Sequence, residues 1–302
     1  MKTVPGNLLR SLCYRSFAGA CWYEARFGGR ISDDRIPVLV YQMAKVGSSS
    51  VYRSLERYPH LNPFHVHHLS PGQLRLLRTR FRRTFAARRE FRPNVRSSLF
   101  LRRQLDRLGG DGRWKVITLV RDPLARAVSG FFSSLGPNCP GLDLDRLTAV
   151  PSRDVASAVA PFFQKWLDRS DECGTWIYPP QAWLDQELRE VFGVDVMAQP
   201  FARAKGYQVY TSGTAPVLLL KLERLNACAA EAFKEFLGLE QFTLVTSNQT
   251  ENKPHAEVYQ AFRESYEMSE AELDRFYDTP FARHFYAEEE IAAFRRRWVR
   301  RL

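Results

Sequence analysis

Residues 38–55 read VLVYQMAKVGSSSVYRSL, and the fold turns on them. Val38 to Tyr41 form an unbroken apolar run, the pattern of a strand covered on both faces of a parallel sheet. The run gives way to Lys45-Val46-Gly47-Ser48-Ser49-Ser50, and a helical pattern begins at once. At a helix start the first backbone N–H groups have no partner within the helix, and the aligned peptide dipoles leave a positive end. Such a place holds an anion with few side chains. Gly47 permits close backbone approach, Ser48 to Ser50 add hydroxyl donors, and Lys45 adds a point charge. Lys45, Val46, Gly47, Ser48, Ser49 and Ser50 are therefore expected to cradle a phosphate. The magnesium-nucleotide loop has the pattern G-x-x-x-x-G-K-[ST], with lysine after the second glycine. Here Lys45 comes two residues before Gly47. A plain helix N-cap also explains the turn on its own, so a second element is needed.

Residues 114–132, WKVITLVRDPLARAVSGFF, supply it. The apolar, β-rich run Val116 to Val120 ends in Arg121-Asp122-Pro123, and a second helix follows. Pro123 suits the first helical position and Asp122 the cap. Ser129 lies eight residues beyond Arg121, about two helical turns on. In open parallel sheets, ligands bind beyond the carboxyl ends of the strands. Arg121 and Ser129 are thus placed to grip a second phosphate of the ligand held at Lys45. The alternative is that Asp122 only caps, Arg126 is solvated and Ser129 is merely small.

The rest of the chain reads as the frame of these two units. Residues 1–35 form a helical or loose lead-in, and 36–302 one α/β domain. Strands are expected at 36–43, 64–68, 116–120, 206–210 and 216–222, a central parallel sheet of about five strands flanked by helices. Ser70-Pro71 starts a helix. From Leu74 to Arg107 the chain is arginine-dense and helical, interrupted at Pro93, with Glu90 and Asp106 its acids. It reads either as a solvated surface or as a platform that collects an acidic glycan. Phe162, Phe163, Trp166, Trp176, Tyr178 and Trp183 read as core at helical spacing, with Trp176 and Tyr178 alternatively lining a sugar cleft. Glu223, at the end of the PVLLLKL run, is assigned a structural part in organising the helix after it. Later helices are expected at 226–237, 255–266, 269–277 and 287–300.

The net charge of +11, from 44 lysines and arginines against 33 acids, implies a polyanionic partner: a nucleotide, an acidic glycan, nucleic acid or an anionic membrane. Five scattered cysteines without C-x-x-C indicate neither a zinc site nor a disulfide framework, and a reducing compartment follows. No continuous hydrophobic segment opens the chain, because Arg10, Arg15, Glu24 and Arg26 interrupt it. That points to a cytoplasmic protein, with Leu8 to Trp22 as a basic amphipathic stretch able to touch a membrane peripherally.

On these residues the chain resembles the sulfotransferases. Lys45-x-Gly47-Ser48-Ser49 after the first strand is similar to the family's 5′-phosphosulfate loop, and Arg121 with Ser129 to its 3′-phosphate pair. The order of VYQMAKVGSSSVYRSL, FHVHHL, WKVITLVRDPLARAVSGFF, VLLLKLERL and NKPHAEVYQAF over residues 36–298 resembles bacterial capsular polysaccharide synthesis proteins. Asn252-Lys253 stands where that group carries Asn-Lys-Trp-Tyr-Ser, but Pro254, His255 and Ala256 replace the last three residues.

The resemblance implies a P-loop-like sulfotransferase fold, and a bacterial enzyme that takes 3′-phosphoadenosine 5′-phosphosulfate as co-substrate, needs no metal and sulfates a carbohydrate acceptor. Lys45 would stabilise the departing bridging oxygen. Lys253 would belong to a loop that folds over the nucleotide. The acceptor hydroxyl needs a base, and His65 and His67 alternate onto one strand face while His68 points to the other. His67, nearer the strand's carboxyl end, is preferred, with His65 second; the alternative is a pair of hydrogen-bonded core histidines. An ATP-dependent kinase is disfavoured by the misplaced lysine and the lack of an acidic strand end for magnesium. A non-catalytic polyanion-binding protein leaves both phosphate turns unexplained, so nucleic acid is not the expected partner.

Overall fold

The computed structural model describes residues 12–13, 18–19, 22–23, 31, 34–76, 91–108, 113–133, 147–148, 150–168, 179–245 and 256–299, the side chains of 91–96 and 108 excepted. Its centre is a five-stranded sheet in the order β2-β1-β3-β5-β4, with β1 at Ile36–Tyr41, β2 at Leu61–Val66, β3 at Lys115–Val120, β4 at Tyr207–Tyr210 and β5 at Val217–Lys221. β2, β1, β3 and β5 run parallel; β4 is antiparallel to β5, with Tyr207 opposite Leu220. The expected all-parallel sheet is corrected there. A parallel neighbour needs a long crossover, and only the short 211–216 connection joins these two strands.

Burial follows the pattern read from the sequence. From the second residue on, β1 and β3 are buried throughout, as is all of β5, because helices cover both faces. β2 is half-buried along its middle, as an edge strand is. It begins earlier than expected, at Leu61, and contains Pro63, whose missing N–H is tolerated at a sheet edge. His67 and His68 consequently lie just past the strand rather than in it.

Residues 71–76 are helical, as expected after Ser70, and the helices with described bounds are α1 (Ser48–Leu55), α2 (Phe91–Leu108), α3 (Pro123–Ser133), α4 (Ser152–Asp168) and α5 (Pro180–Trp183), then α6 (Leu225–Leu237), α7 (Ala256–Ser265), α8 (Glu270–Tyr277), α9 (Pro280–Phe285) and α10 (Glu288–Arg296). Pro93 does not interrupt α2; it sits in the first turn, where an N–H has no helical partner anyway. α5 runs on through a π-helical stretch, Leu184–Arg189, into a last turn, Glu190–Phe192. α9 has no counterpart in the sequence reading; Thr279 caps it and Pro280 begins it.

The middle aromatics pack as core. Phe163 and Trp166 are buried, and Phe163 meets Phe262 and Tyr266 of the α7 region at 5.6 and 5.5 Å. Trp183 is also buried, while Trp176 and Tyr178 lie outside the described residues. The carboxyl end of β5 is tied to α10 through Lys221, which is fully buried and bonds both oxygens of Glu290 at 2.6 and 2.7 Å. No described helix is long and apolar enough to cross a membrane.

Candidate functional site

The carboxyl ends of β2, β1, β3 and β5 stand side by side, and each continues into a turn that carries candidate chemistry. In sheet order these are His65 to His67, Lys45 to Ser50, Arg121-Asp122 and Leu222-Glu223. Sites in open α/β sheets are built at this edge because every turn there presents backbone donors and helix starts to one crevice.

The β1 turn passes twice through left-handed backbone: Lys45 has φ 72° and Gly47 has φ 80°. For lysine that conformation costs about 1–2 kcal/mol, so the surrounding contacts must hold it. Gly47 stands at the N-terminus of α1, which has no side-chain cap. A Cβ at Gly47 would lie 2.5 Å from Leu222 Cδ1, so glycine is required both for its backbone angle and for the approach of the β5 turn.

The β3 turn closes on this loop. Arg121 Nη1 donates to the Lys45 carbonyl at 3.0 Å, and Arg126 Nη1 reaches the Ala44 carbonyl at 3.4 Å. The two phosphate turns expected from sequence are therefore joined. Arg126 is not solvated but buried, and burial, with the Arg121 charge beside it, lowers its pKa to about 10. Asp122 caps α3 as expected, its Oδ1 accepting from Leu124 N at 3.0 Å and Ala125 N at 3.2 Å. The same oxygen accepts from the Tyr277 hydroxyl at 2.8 Å, and burial raises the Asp122 pKa. Ser129 is partly exposed, one turn from partly exposed Ala125, while the residues between them are buried. It thus stands on the open stripe of the helix that Arg121 leads into.

Glu223 organises a different element from the one expected. Its Oε1 accepts from Asp122 N at 2.7 Å and its Oε2 from the Tyr286 hydroxyl at 3.3 Å, so it braces the Arg121 turn rather than α6.

His65, within β2, and His67, just past it, do share a face, with ring centroids 5.2 Å apart. His65 Nε2 lies 2.8 Å from Ser48 Oγ, and its ring stacks on Tyr52 of α1. His67 Nδ1 lies 3.0 Å from the Gln42 carbonyl, and its own carbonyl accepts from Trp183 Nε1 at 3.1 Å. Burial lowers the pKa of His65 to about 4 and that of His67 to about 3, the latter lowered further by the adjoining His65 and His68 rings and by Lys45. Both rings are neutral at pH 7. His68 turns the other way, its Nδ1 3.1 Å from Glu187 Oε1.

Two residues of this neighbourhood escaped the sequence reading. Gln42, fully buried, touches both histidines. Glu187, from the π-helical stretch, accepts from Leu69 N and Ser70 N at 2.9 Å each and from the Tyr41 hydroxyl, and so fixes the turn after the histidines. An amide closing an apolar run and a carboxylate at the apolar spacing Leu184, Glu187, Leu188 were the available signals.

Lys253 lies outside the described residues. The ends of its loop do not: Val245 N donates to Ser54 Oγ of α1 at 2.8 Å, and Tyr259 of α7 meets Phe132 of α3 at 5.1 Å. The chain on either side of Lys253 is thus anchored to the two helices that follow the candidate phosphate turns.

A search of curated proteins and a search of solved structures return no match. Residues 177–287 match a family model described as putative capsular polysaccharide synthesis protein, a span that holds Glu187, Glu223 and the Lys253 loop but neither phosphate turn.

Proposed function

We propose that the chain is a sulfotransferase that moves a sulfuryl group from 3′-phosphoadenosine 5′-phosphosulfate to a carbohydrate hydroxyl in polysaccharide biosynthesis, on a P-loop-like sulfotransferase fold. The observation that carries this reading is the 3.0 Å bond from Arg121 Nη1 to the Lys45 carbonyl. It makes one crevice of two basic turns that lie 76 residues apart in the chain. A bisphosphorylated nucleoside has anionic groups at two ends, and this crevice offers donors for both. The α1 start with Lys45 to Ser50 faces the 5′-phosphate, and Arg121 with Ser129 faces the 3′-phosphate. A guanidinium has five N–H donors, so its bond to a carbonyl leaves capacity for a phosphate. The family match over residues 177–287 supports a polysaccharide as the acceptor.

Sulfuryl transfer forms a bond from the acceptor oxygen to sulfur while the bond from sulfur to the bridging phosphate oxygen breaks. The protein aligns the two oxygens, neutralises the leaving phosphate and accepts the hydroxyl proton. Lys45 meets the charge that develops on the bridging oxygen. His67 takes the proton; it is neutral at pH 7, its Nδ1 is held by the Gln42 backbone carbonyl, and its own backbone carbonyl accepts from the Trp183 indole N–H.

Calorimetry with 3′-phosphoadenosine 5′-phosphate, ATP and a short DNA duplex tests the reading. Binding of the bisphosphate in preference to the other two is expected. Preference for ATP would make the protein a kinase, and binding of the duplex alone would make it a polyanion-binding protein.

A further inference from the structure

Gln42 follows β1 directly, is fully buried, and turns one end of its side-chain amide to two rings, 3.0 Å from His65 Nε2 and 2.9 Å from His67 Nδ1. Its backbone carbonyl is also 3.0 Å from His67 Nδ1, and Ser48 Oγ is 2.8 Å from His65 Nε2. The two ends of an amide have the same outline, so the placement of protons decides which end faces the rings.

With the NH2 end facing them, both ring nitrogens must accept. The bare Nδ1 of His67 then points a lone pair at the carbonyl oxygen of Gln42. His65 Nε2 has one in-plane lone pair, for which the amide and the Ser48 hydroxyl compete. Whichever end is turned away is buried, the oxygen there having no donor, so the contacts to the rings decide the orientation. With the oxygen facing the rings, every one of these approaches becomes attractive. His67 Nδ1–H is shared between the Gln42 carbonyl and the amide oxygen, and His65 Nε2–H between the amide oxygen and Ser48 Oγ.

We propose that Gln42 is a positioning residue that presents its side-chain oxygen to both rings and so holds them in opposite tautomers, Nε2–H on His65 and Nδ1–H on His67. His67 keeps its lone pair on Nε2, the nitrogen that receives the acceptor proton. His65 donates to Ser48 and leaves the serine hydroxyl hydrogen directed to an anion at the α1 start. This division of roles rests on the sulfuryl-transfer reading; the tautomers themselves do not.

Two-bond ¹H–¹⁵N correlation spectra of protein labelled with ¹⁵N-histidine, recorded at neutral pH without nucleotide or acceptor, read each tautomer directly. Spectra of His65→Gln and His67→Gln assign the signals. The expected result is a pure Nε2–H pattern for His65 and a pure Nδ1–H pattern for His67. Gln42→Met removes the shared acceptor at similar bulk; His65 then averages between tautomers, kcat falls, and the donor Kd rises because the Ser48 hydrogen is no longer directed to the anion. Wild-type protein with His67 protonated on Nε2, or His65 on Nδ1, overturns the proposal, as does a Gln42→Met spectrum identical to wild type. The wild-type spectrum decides the matter even if the variant does not fold. Tautomers as stated in a protein that ignores 3′-phosphoadenosine 5′-phosphate would uphold Gln42 and sink the sulfuryl-transfer reading alone.

Discussion

Arg121 donates through Nη1 to the carbonyl oxygen of Lys45 at 3.0 Å. A basic side chain from the turn after β3 thereby stabilises the left-handed turn after β1, so in the proposed function ligand binding would depend on the same guanidinium as the loop geometry. Arg121→Met is expected to weaken 3′-phosphoadenosine 5′-phosphate binding roughly 10–100-fold, the equivalent of about 1.5–3 kcal/mol for hydrogen bonds to a charged group. Ser129→Ala is expected to weaken it less, by up to about tenfold. Calorimetry measures both, and equal affinities in wild type and Arg121→Met would remove Arg121 from the donor site.

His67→Ala is expected to lower kcat by about 10²–10⁴, the usual size of a general-base contribution, with donor affinity unchanged. Steady-state rates paired with calorimetry separate the two effects. A variant that loses donor binding as well would mark His67 as a support of the β1 turn rather than the base.

Stability should depend on pH through the same two rings. Their folded-state pKa values, about 4 for His65 and about 3 for His67, lie below the ordinary 6.5 because burial opposes the charged form. Above pH 6.5 both rings are neutral whether the chain is folded or not, so this contribution is fully present. As pH falls below 6.5 the unfolded chain takes up protons that the folded one refuses, and stability drops by up to about 1.4 kcal/mol per pH unit for each ring until pH approaches 4 and then 3. Urea unfolding of wild type and His65→Gln between pH 7 and 4 checks this; the variant should show the shallower decline.

Gly47→Ala places a Cβ 2.5 Å from Leu222 Cδ1 and forces alanine to φ 80°. The leucine end can move, but the backbone strain of about 1–2 kcal/mol cannot be relieved. The variant should unfold at lower urea concentration, and Leu222→Ala added to it should restore only part of the loss. Full restoration would show that contact, not backbone angle, selects glycine here.

Lys221→Met should destabilise the protein by about 2–3 kcal/mol, since it strips a charged partner from Glu290 at the junction of β5 and α10. Glu290 is partly exposed and keeps its bond to Ala287 N at 2.9 Å, which holds the loss below that of a fully enclosed pair. Chemical unfolding measures it, and donor affinity should stay at the wild-type value.

The two strand-turn-helix units could be read along the chain because their signals are local. A buried run, a glycine and hydroxyls identify the β1 turn; a buried run, an Asp cap and a proline identify the β3 turn. The alternation of His65 and His67 was likewise a property of neighbouring residues, and it survives although β2 ends at Val66. The Glu223 assignment failed in its partner: the carboxylate was seen to be structural, but the group it bonds, Asp122 N, is 101 residues away.

Local sequence thus suffices for the α/β class, the places of the buried strands along the chain and the helix starts after β1 and β3, because those follow from side-chain period and backbone preference over a few positions. The reversed direction of β4, the π-helical stretch that delivers Glu187 to the His68 turn, and the amide of Gln42 between two rings arise only when distant segments pack. Nothing within a few residues of Tyr41 marks Glu187, 146 positions on, as its partner. Burial of the polar group chooses the partner, since an enclosed carboxylate or amide must find donors or acceptors wherever folding brings them.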